Sequence, residues 1–307
     1  MTDTRLIHTV GVRALEWLWS HREGFRLEPD VDPEVGFLER LKPVGELALV
    51  CKVLFREGVA GARQADLARR LLDHAWRETL DGGAHLVLAQ RIEPISPIPF
   101  EVYLPFRELG HSRPDIERAA VLNHRTDSWS AFEMTPTRRL GLSAFQRRFG
   151  LSPRPPEAEA LAGTWLARTP EPWTVEGHIA YDITHAVFHL TDWGERPDGL
   201  PPRIAEYLAD WLPVWLDDWL DLRRWDLLGE LLVVDACLPR PTLDERAWTA
   251  FAAAQQADGA MPALRSMPEG DPDQVFDIVY HPTLVAAFAS ALATSRALSE
   301  LAQAAAS

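Results

Sequence analysis

One short segment concentrates the residue types that do chemistry. In His178-Ile-Ala-Tyr-Asp-Ile-Thr-His-Ala-Val-Phe-His-Leu-Thr-Asp192, a helix turning by roughly 100° per residue places His178, Tyr181, Asp182, His185, His189 and Asp192 on one stripe. Ala180, Ile183, Val187 and Leu190 fall on the opposite side. Three of the chain's ten histidines lie on this stripe. A solvent-facing stripe in an acidic protein is ordinarily Glu, Arg and Lys; this one consists of metal ligands and proton carriers, so it predicts a polar cavity within a helical protein.

Three chemistries suit that stripe, and the spacing leaves all three open. His185 and His189, at i and i+4, can converge on one ion as the histidines of H-E-x-x-H helices do, with Asp192 as third ligand and Zn²⁺ as the cofactor. The second position holds no Glu, so the stripe is not that protease motif. Without metal, His185 is the general base, because imidazole changes charge near neutral pH; Asp182 orients it and Tyr181 carries a proton. The third reading is a hydrogen-bonded polar seam between helices.

A second acid–imidazole pair lies downstream in Asp277-Ile-Val-Tyr280-His281-Pro282. Asp277 and His281 share a face at i and i+4, and the proline after His281 predicts a helix end at a cavity mouth. Asp277 and His281 are therefore further catalytic candidates, with His178 and Tyr280 as substrate contacts.

Other motifs fail on geometry. Asp217-Asp-Trp-Leu-Asp221 spells D-D-x-x-D, a Mg²⁺–diphosphate motif, but Trp211, Leu212, Trp215, Trp219 and Leu222 are expected to define the buried face and turn Asp217 and Asp221 to solvent. Asp182-x-x-His185 is half of a di-iron pattern that lacks its second half. Dinucleotide, P-loop, nucleophile-elbow and EF-hand motifs are absent. Arg138-Arg139 and Arg147-Arg148 could receive an anionic substrate, but surface arginine is the preferred reading.

The elements that must position these residues read as helices almost throughout. The expected helices are Leu6–His21, Pro33–Arg56, Ala62–Leu80, Pro114–Asn123 and Pro136–Phe149, then 157–168, 173–193, 201–223, 225–237, 242–257 and 275–295. Prolines at 94, 97, 99 and 105 predict an irregular stretch over 93–106. Hairpin signals are nearly absent. The fold class is all-α: one domain over 1–307 built of paired helices, with residues 151–157 as a subdomain break, and an Ala-rich tail that frays.

Composition bounds the partners. A net charge of −14 over 307 residues, with lysine only at 42 and 52, argues against nucleic acid. Two cysteines point to a reducing cytoplasm, and no signal-peptide core opens the sequence. Every long apolar run is broken by charge or proline, so no membrane span is expected. Arginine-, alanine- and proline-rich usage fits a GC-rich bacterial genome. The 12 tryptophans are read as helix packing.

One local turn favours a closed ring of helix pairs over an open stack. Gln255-Gln-Ala-Asp258-Gly259, after an apolar helix and before Pro262, resembles the Q-x-x-D-G turns of α/α toroids such as squalene-type cyclases and protein prenyltransferases. The aromatic that usually follows the glycine is replaced by Ala260. By the same resemblance, Asp235, Cys237 and His281 correspond to a prenyltransferase zinc set. The resemblance implies cyclase or lyase chemistry on a small molecule or modified peptide in specialised biosynthesis. The rival expectation is a non-enzymatic helical scaffold or binding protein whose stripe is structural.

Overall fold

Helix starts follow local chemistry. Asp3, Thr126, Thr135 and Asp244 each accept a hydrogen bond from the backbone N–H two or three residues on, satisfying a donor that the first turn leaves free. Pro114, Pro136 and Pro202 occupy first helical positions, where a missing N–H costs nothing. A computed structural model describes residues 3–27, 37–59 and 61–306. Its α-helices are α1 (Thr4–Ser20), α2 (Phe37–Glu57), α3 (Ala62–His74), α4 (Ala84–Ile92), α5 (Ile98–Glu108), α6 (Pro114–His124) and α7 (Asp127–Ala131). They continue with α8 (Pro136–Phe149), α9 (Glu157–Ala162), α10 (Gly177–Leu190), α11 (Pro202–Asp221), α12 (Trp225–Cys237), α13 (Glu245–Ala254) and α14 (Pro272–Ala306). The described residues contain no strand, so the fold is all-α.

Packing follows an alternation along the chain. α2 lies against α5, α5 against α8, α8 against α10, α10 against α12, α12 against α14, and α14 returns to α2. The remaining helices flank this cycle: α1 on α14, α3 on α2, α4 and α6 on α5, α7 on α6, α9 on α8, and α11 and α13 on α12. One hydrophobic core runs through residues on both sides of the 151–157 stretch, and α8 and α9 pack together across it. Trp17, Trp129, Trp215, Trp219, Trp225 and Trp248 are buried in that core, whereas Trp173 is 79% exposed.

Gln255 and Gly259 fix the turn after α13 against the first helix. The Gln255 amide donates to the Val10 and Gly259 carbonyls, both at 3.0 Å. Gly259 has φ +104°, and a Cβ there would lie 2.1 Å from the Arg13 carbonyl oxygen, so the position requires glycine.

Several element boundaries differ from expectation. Residues 98–108 form a helix although 93–106 reads as irregular, because Pro99 falls in a first turn and only Pro105 costs an internal bond. The expected helix over 62–80 runs regularly to His74 and closes through a π-turn at Ala75–Thr79. Pro33–Gly36, the expected start of the second helix, lie outside the described residues. α14 continues through Pro282 rather than breaking there, and extends to Ala306 instead of fraying after 295. It is also long and apolar enough to cross a membrane by composition, with a mean hydropathy of 1.5. Nevertheless, 72% of that window is buried, packed against α1, α2 and α12.

Candidate functional site

A half-open cavity of about 660 Å³ lies between four helices of the cycle, α2, α5, α8 and α10. Two residues one turn apart on α2, Lys42 and Glu46, enter it together, as do His185 and His189 on α10. α5 supplies Glu101 with Ile98, Val102 and Leu104, and α8 supplies Arg138, Phe145 and Arg148. Gly45 and Gly141 give α2 and α8 close approach. A Cβ on Gly45 would meet the Val102 side chain at 2.9 Å, and one on Gly141 would meet His189 Nε2 at 2.7 Å.

Behind the Glu46 and His185 walls lies a dense titratable cluster. His281 of α14 sits among three carboxylates. Its Nδ1 is 3.0 Å from Glu46 Oε2, and its Nε2 is 3.3 Å from Glu230 Oε1 and 3.5 Å from Asp226 Oδ1. Asp226 and Glu230 are one turn apart on α12, so both point the same way. The Tyr181 hydroxyl donates to Asp226 Oδ2 at 2.6 Å, and the Thr184 hydroxyl donates to Glu230 Oε2.

Charges in this cluster hold one another. Burial opposes a charge on the His281 imidazole, but Glu46, Glu230 and Asp226 together raise its pKa well above the ordinary value. Burial likewise pushes the Glu230 carboxyl up, yet His185 and His281 outweigh it and the net shift is downward. Glu46 behaves in the same way, through His281 and Lys42. For Asp226 burial prevails and its pKa rises. His281 is thus an imidazolium bonded to two carboxylates. Burial, assisted by Asp226, raises the Tyr181 hydroxyl and keeps it neutral.

His185 is arranged differently. Its Nδ1 is 2.8 Å from the Tyr181 carbonyl oxygen, which only accepts, so the neutral ring keeps its proton on Nδ1. Nε2 then carries the lone pair. Glu230 Oε2 lies 3.8 Å from Nδ1, and the side chain is 42% exposed in the cavity wall. Burial, with the charges of Arg138 and Arg148, holds His189 well below the ordinary imidazole value, so it is neutral.

The structure separates residues that the helical stripe groups together. His178 is exposed and 3.0 Å from the surface carboxylate of Glu176, so it is not a substrate contact in the cavity. Asp182 is half-buried and outside the cavity lining; the Tyr181 carbonyl and Glu230 hold His185 in its place. Tyr181 reaches Asp226, not the cavity. Asp277 is exposed, because the residues that meet His281 come from α2 and α12. Tyr280 is half-buried, stacked on Phe276 with ring centroids 5.6 Å apart, and is also outside the cavity lining.

The expected metal sets do not assemble. α10 ends at Leu190, and Asp192 stands in a left-handed turn with φ +48°. Arg147 grips both of its carboxylate oxygens at 2.7 and 2.8 Å, which takes them from His185 and His189. Asp235 spends its oxygens on the backbone N–H groups of Thr242 and Leu243, and burial pushes the Cys237 thiol up to about 11. Neither therefore joins His281 in a zinc set. Among the described residues, no group of three or more His, Cys, Asp or Glu side chains is arranged to hold a metal ion. As expected, Asp217 and Asp221 face solvent, paired with Arg246 at 2.6 and 3.3 Å.

Sequence reasoning missed Glu46, Asp226 and Glu230. A signal was available: Glu230 stands alone in the apolar run Leu227-Leu-Gly-Glu-Leu-Leu-Val-Val, where a charge requires a partner. A family model described as "Domain of unknown function (DUF6895)" matches residues 11–291. The chain belongs to this family. Neither the curated proteins nor the solved structures contain a match.

Proposed function

We propose that this protein is an enzyme whose closed cycle of helices is an α/α-toroid-like ring around a substrate cavity. In this reading it performs proton-transfer chemistry of the cyclase or lyase type on a small molecule, with His185 as the general base. The observation that carries it is the hydrogen bond from His185 Nδ1 to the Tyr181 carbonyl, which leaves the basic Nε2 in a cavity wall. Glu230, 3.8 Å from Nδ1, stabilises the imidazolium that forms when Nε2 takes a proton. Glu46, joined to the same network through His281, is the cavity-facing carboxylate and holds the cluster's charge at the wall. Because Arg147 occupies Asp192, the donor set for Zn²⁺ is incomplete, and no step is assigned to a metal. A cytoplasmic setting suits two cysteines that are free and buried.

A carrier that binds without converting its ligand is the second reading, and the apolar wall of Ile98, Val102, Leu104 and Phe145 favours it. The two separate on one experiment. Wild type and His185→Asn are incubated with small molecules captured from a cell extract, and the recovered ligands are analysed by chromatography and mass spectrometry. An enzyme returns a ligand with altered retention, and His185→Asn lowers that conversion by about 10²- to 10⁴-fold while its melting temperature stays near wild type. Unaltered ligand from both proteins, or full turnover by the variant, sinks the catalytic reading.

A further inference from the structure

The charges around the cavity identify what it admits. Three cations, Lys42, Arg138 and Arg148, and three anions, Glu46, Glu101 and Asp192, line it, so the wall sums to zero. Each of the six also has a counter-ion supplied by the protein. Arg138 binds Glu101 at 2.8 Å, Arg148 binds Glu108 at 2.5 Å, and Asp192 binds Arg147 at 2.7 Å. Lys42 lies 3.6 Å from Glu46, whose other oxygen meets His281 at 3.0 Å. A charged ligand entering this space would have to compete with these pairs; those of Arg148 and Asp192 are largely buried and costly to break, whereas Lys42, 64% exposed, is the most weakly engaged. The remaining wall is aliphatic and aromatic, and the volume falls within the usual range for a drug-sized ligand. Of the two imidazoles in the wall, His189 turns its Nε2 toward Gly141 of α8, while His185 is 42% exposed with Nδ1 held by the Tyr181 carbonyl, so His185 Nε2 is the acceptor best placed for a ligand.

We infer that the cavity binds an uncharged, predominantly apolar small molecule that presents a single hydroxyl or acidic C–H to His185 Nε2. This deepens the reading of His185 as the cavity base and rests on it for the position of the polar end; the choice of a neutral ligand rests on the paired charges alone.

The test uses three probes of one chain length: 1-octanol, octanoate and octylamine, titrated at neutral pH into the full-length protein. Binding is followed by isothermal calorimetry and by the imidazole ¹⁵N signals of His185. Octanol is expected to bind saturably, to perturb His185 Nε2, and to bind at least tenfold more tightly than either charged probe. His185→Phe removes the acceptor and keeps an apolar wall; it should weaken octanol several-fold and leave the order of the three probes unchanged. Octanoate or octylamine binding as tightly as octanol overturns the neutral-ligand inference while leaving His185 as the cavity base untouched. Octanol bound with no response at His185 Nε2 removes the base reading and keeps the ligand class. Failure of all three to bind saturably overturns the inference outright.

Discussion

Two helices carry an acid–imidazole pair at one-turn spacing, and the structure treats them in opposite ways. On α10 the polar stripe disperses: His178 goes to solvent, His185 and His189 reach the cavity, and Asp192, past the end of the helix, lines the cavity with both oxygens held by Arg147. On α14 the pair splits as well, since Asp277 is exposed, yet His281 acquires three carboxylates that its own helix does not contain. Spacing along a helix tells which residues share a face. What a face meets is decided by helices tens to hundreds of residues away.

The contrast is sharpest in stability. His281→Ala leaves Glu46, Asp226 and Glu230 facing one another without their cation. It should cost about 3–5 kcal/mol in urea or guanidinium unfolding, as expected for stripping one partner from a buried pair. Glu230→Gln added to His281→Ala should recover part of that loss, because it removes one of the opposed charges. An unchanged midpoint for His281→Ala would mean that the cluster does not tie α2, α12 and α14 together.

The same imidazolium sets a pH dependence. A group whose pKa is higher in the folded than in the unfolded chain binds its proton more tightly when folded, so its contribution is complete at low pH and disappears as the folded form loses that proton. His281 is raised well above 6.5, so its stabilisation should be full below about pH 6.5 and fade on the alkaline side. The unfolding midpoint of wild type should therefore fall with rising pH in that window more steeply than that of His281→Gln. Parallel curves for the two proteins would contradict the charge assignment.

On the α10 side the expected effects are smaller. Gly141→Ala places a methyl group 2.7 Å from His189 Nε2 and should destabilise by about 1–3 kcal/mol, as overpacking does. In a His189→Ala background the same change should be neutral or stabilising, because the ring is gone and alanine is the better helix former. A thermal melt of the four proteins reads this directly. Smallest of all, Asp217→Asn and Asp221→Asn should each shift stability by no more than about 0.5 kcal/mol, since both carboxylates are exposed beside Arg246.

Much of the fold was legible because helical periodicity, caps and first-turn prolines are local. The positions of α1, α8, α11, α12 and α13 follow from them to within a few residues. The stretch around Pro97–Pro105 misled because a proline's effect depends on whether it falls in a first turn or a later one. At the site, His185, His189 and His281 were legible by residue type, but Asp182, Asp277 and Asp192 were given roles that Glu230, Glu46 and Arg147 determine. Glu46 and Glu230 stand in apolar runs of other helices and Arg147 in a polar stretch of α8, and the pairings exist only once α2, α8, α10, α12 and α14 have met.

The packing of α1 on α14 bears on how the chain is made. The Gly11 N–H donates to Ser290 Oγ and Ser290 Oγ donates to the Ile7 carbonyl, contacts that span 279 and 283 residues of chain. At a ribosome moving at about 5–20 residues per second, the interval between synthesis of the two partners is roughly 14–56 s. For that time the buried face of α1, with Ile7, Val10, Ala14 and Leu18, lacks its main packing partner, and the nascent chain carries a partly uncovered apolar stripe. Slow, late closure of this kind exposes the chain to aggregation and makes it a natural client for a chaperone that shields helix faces during translation.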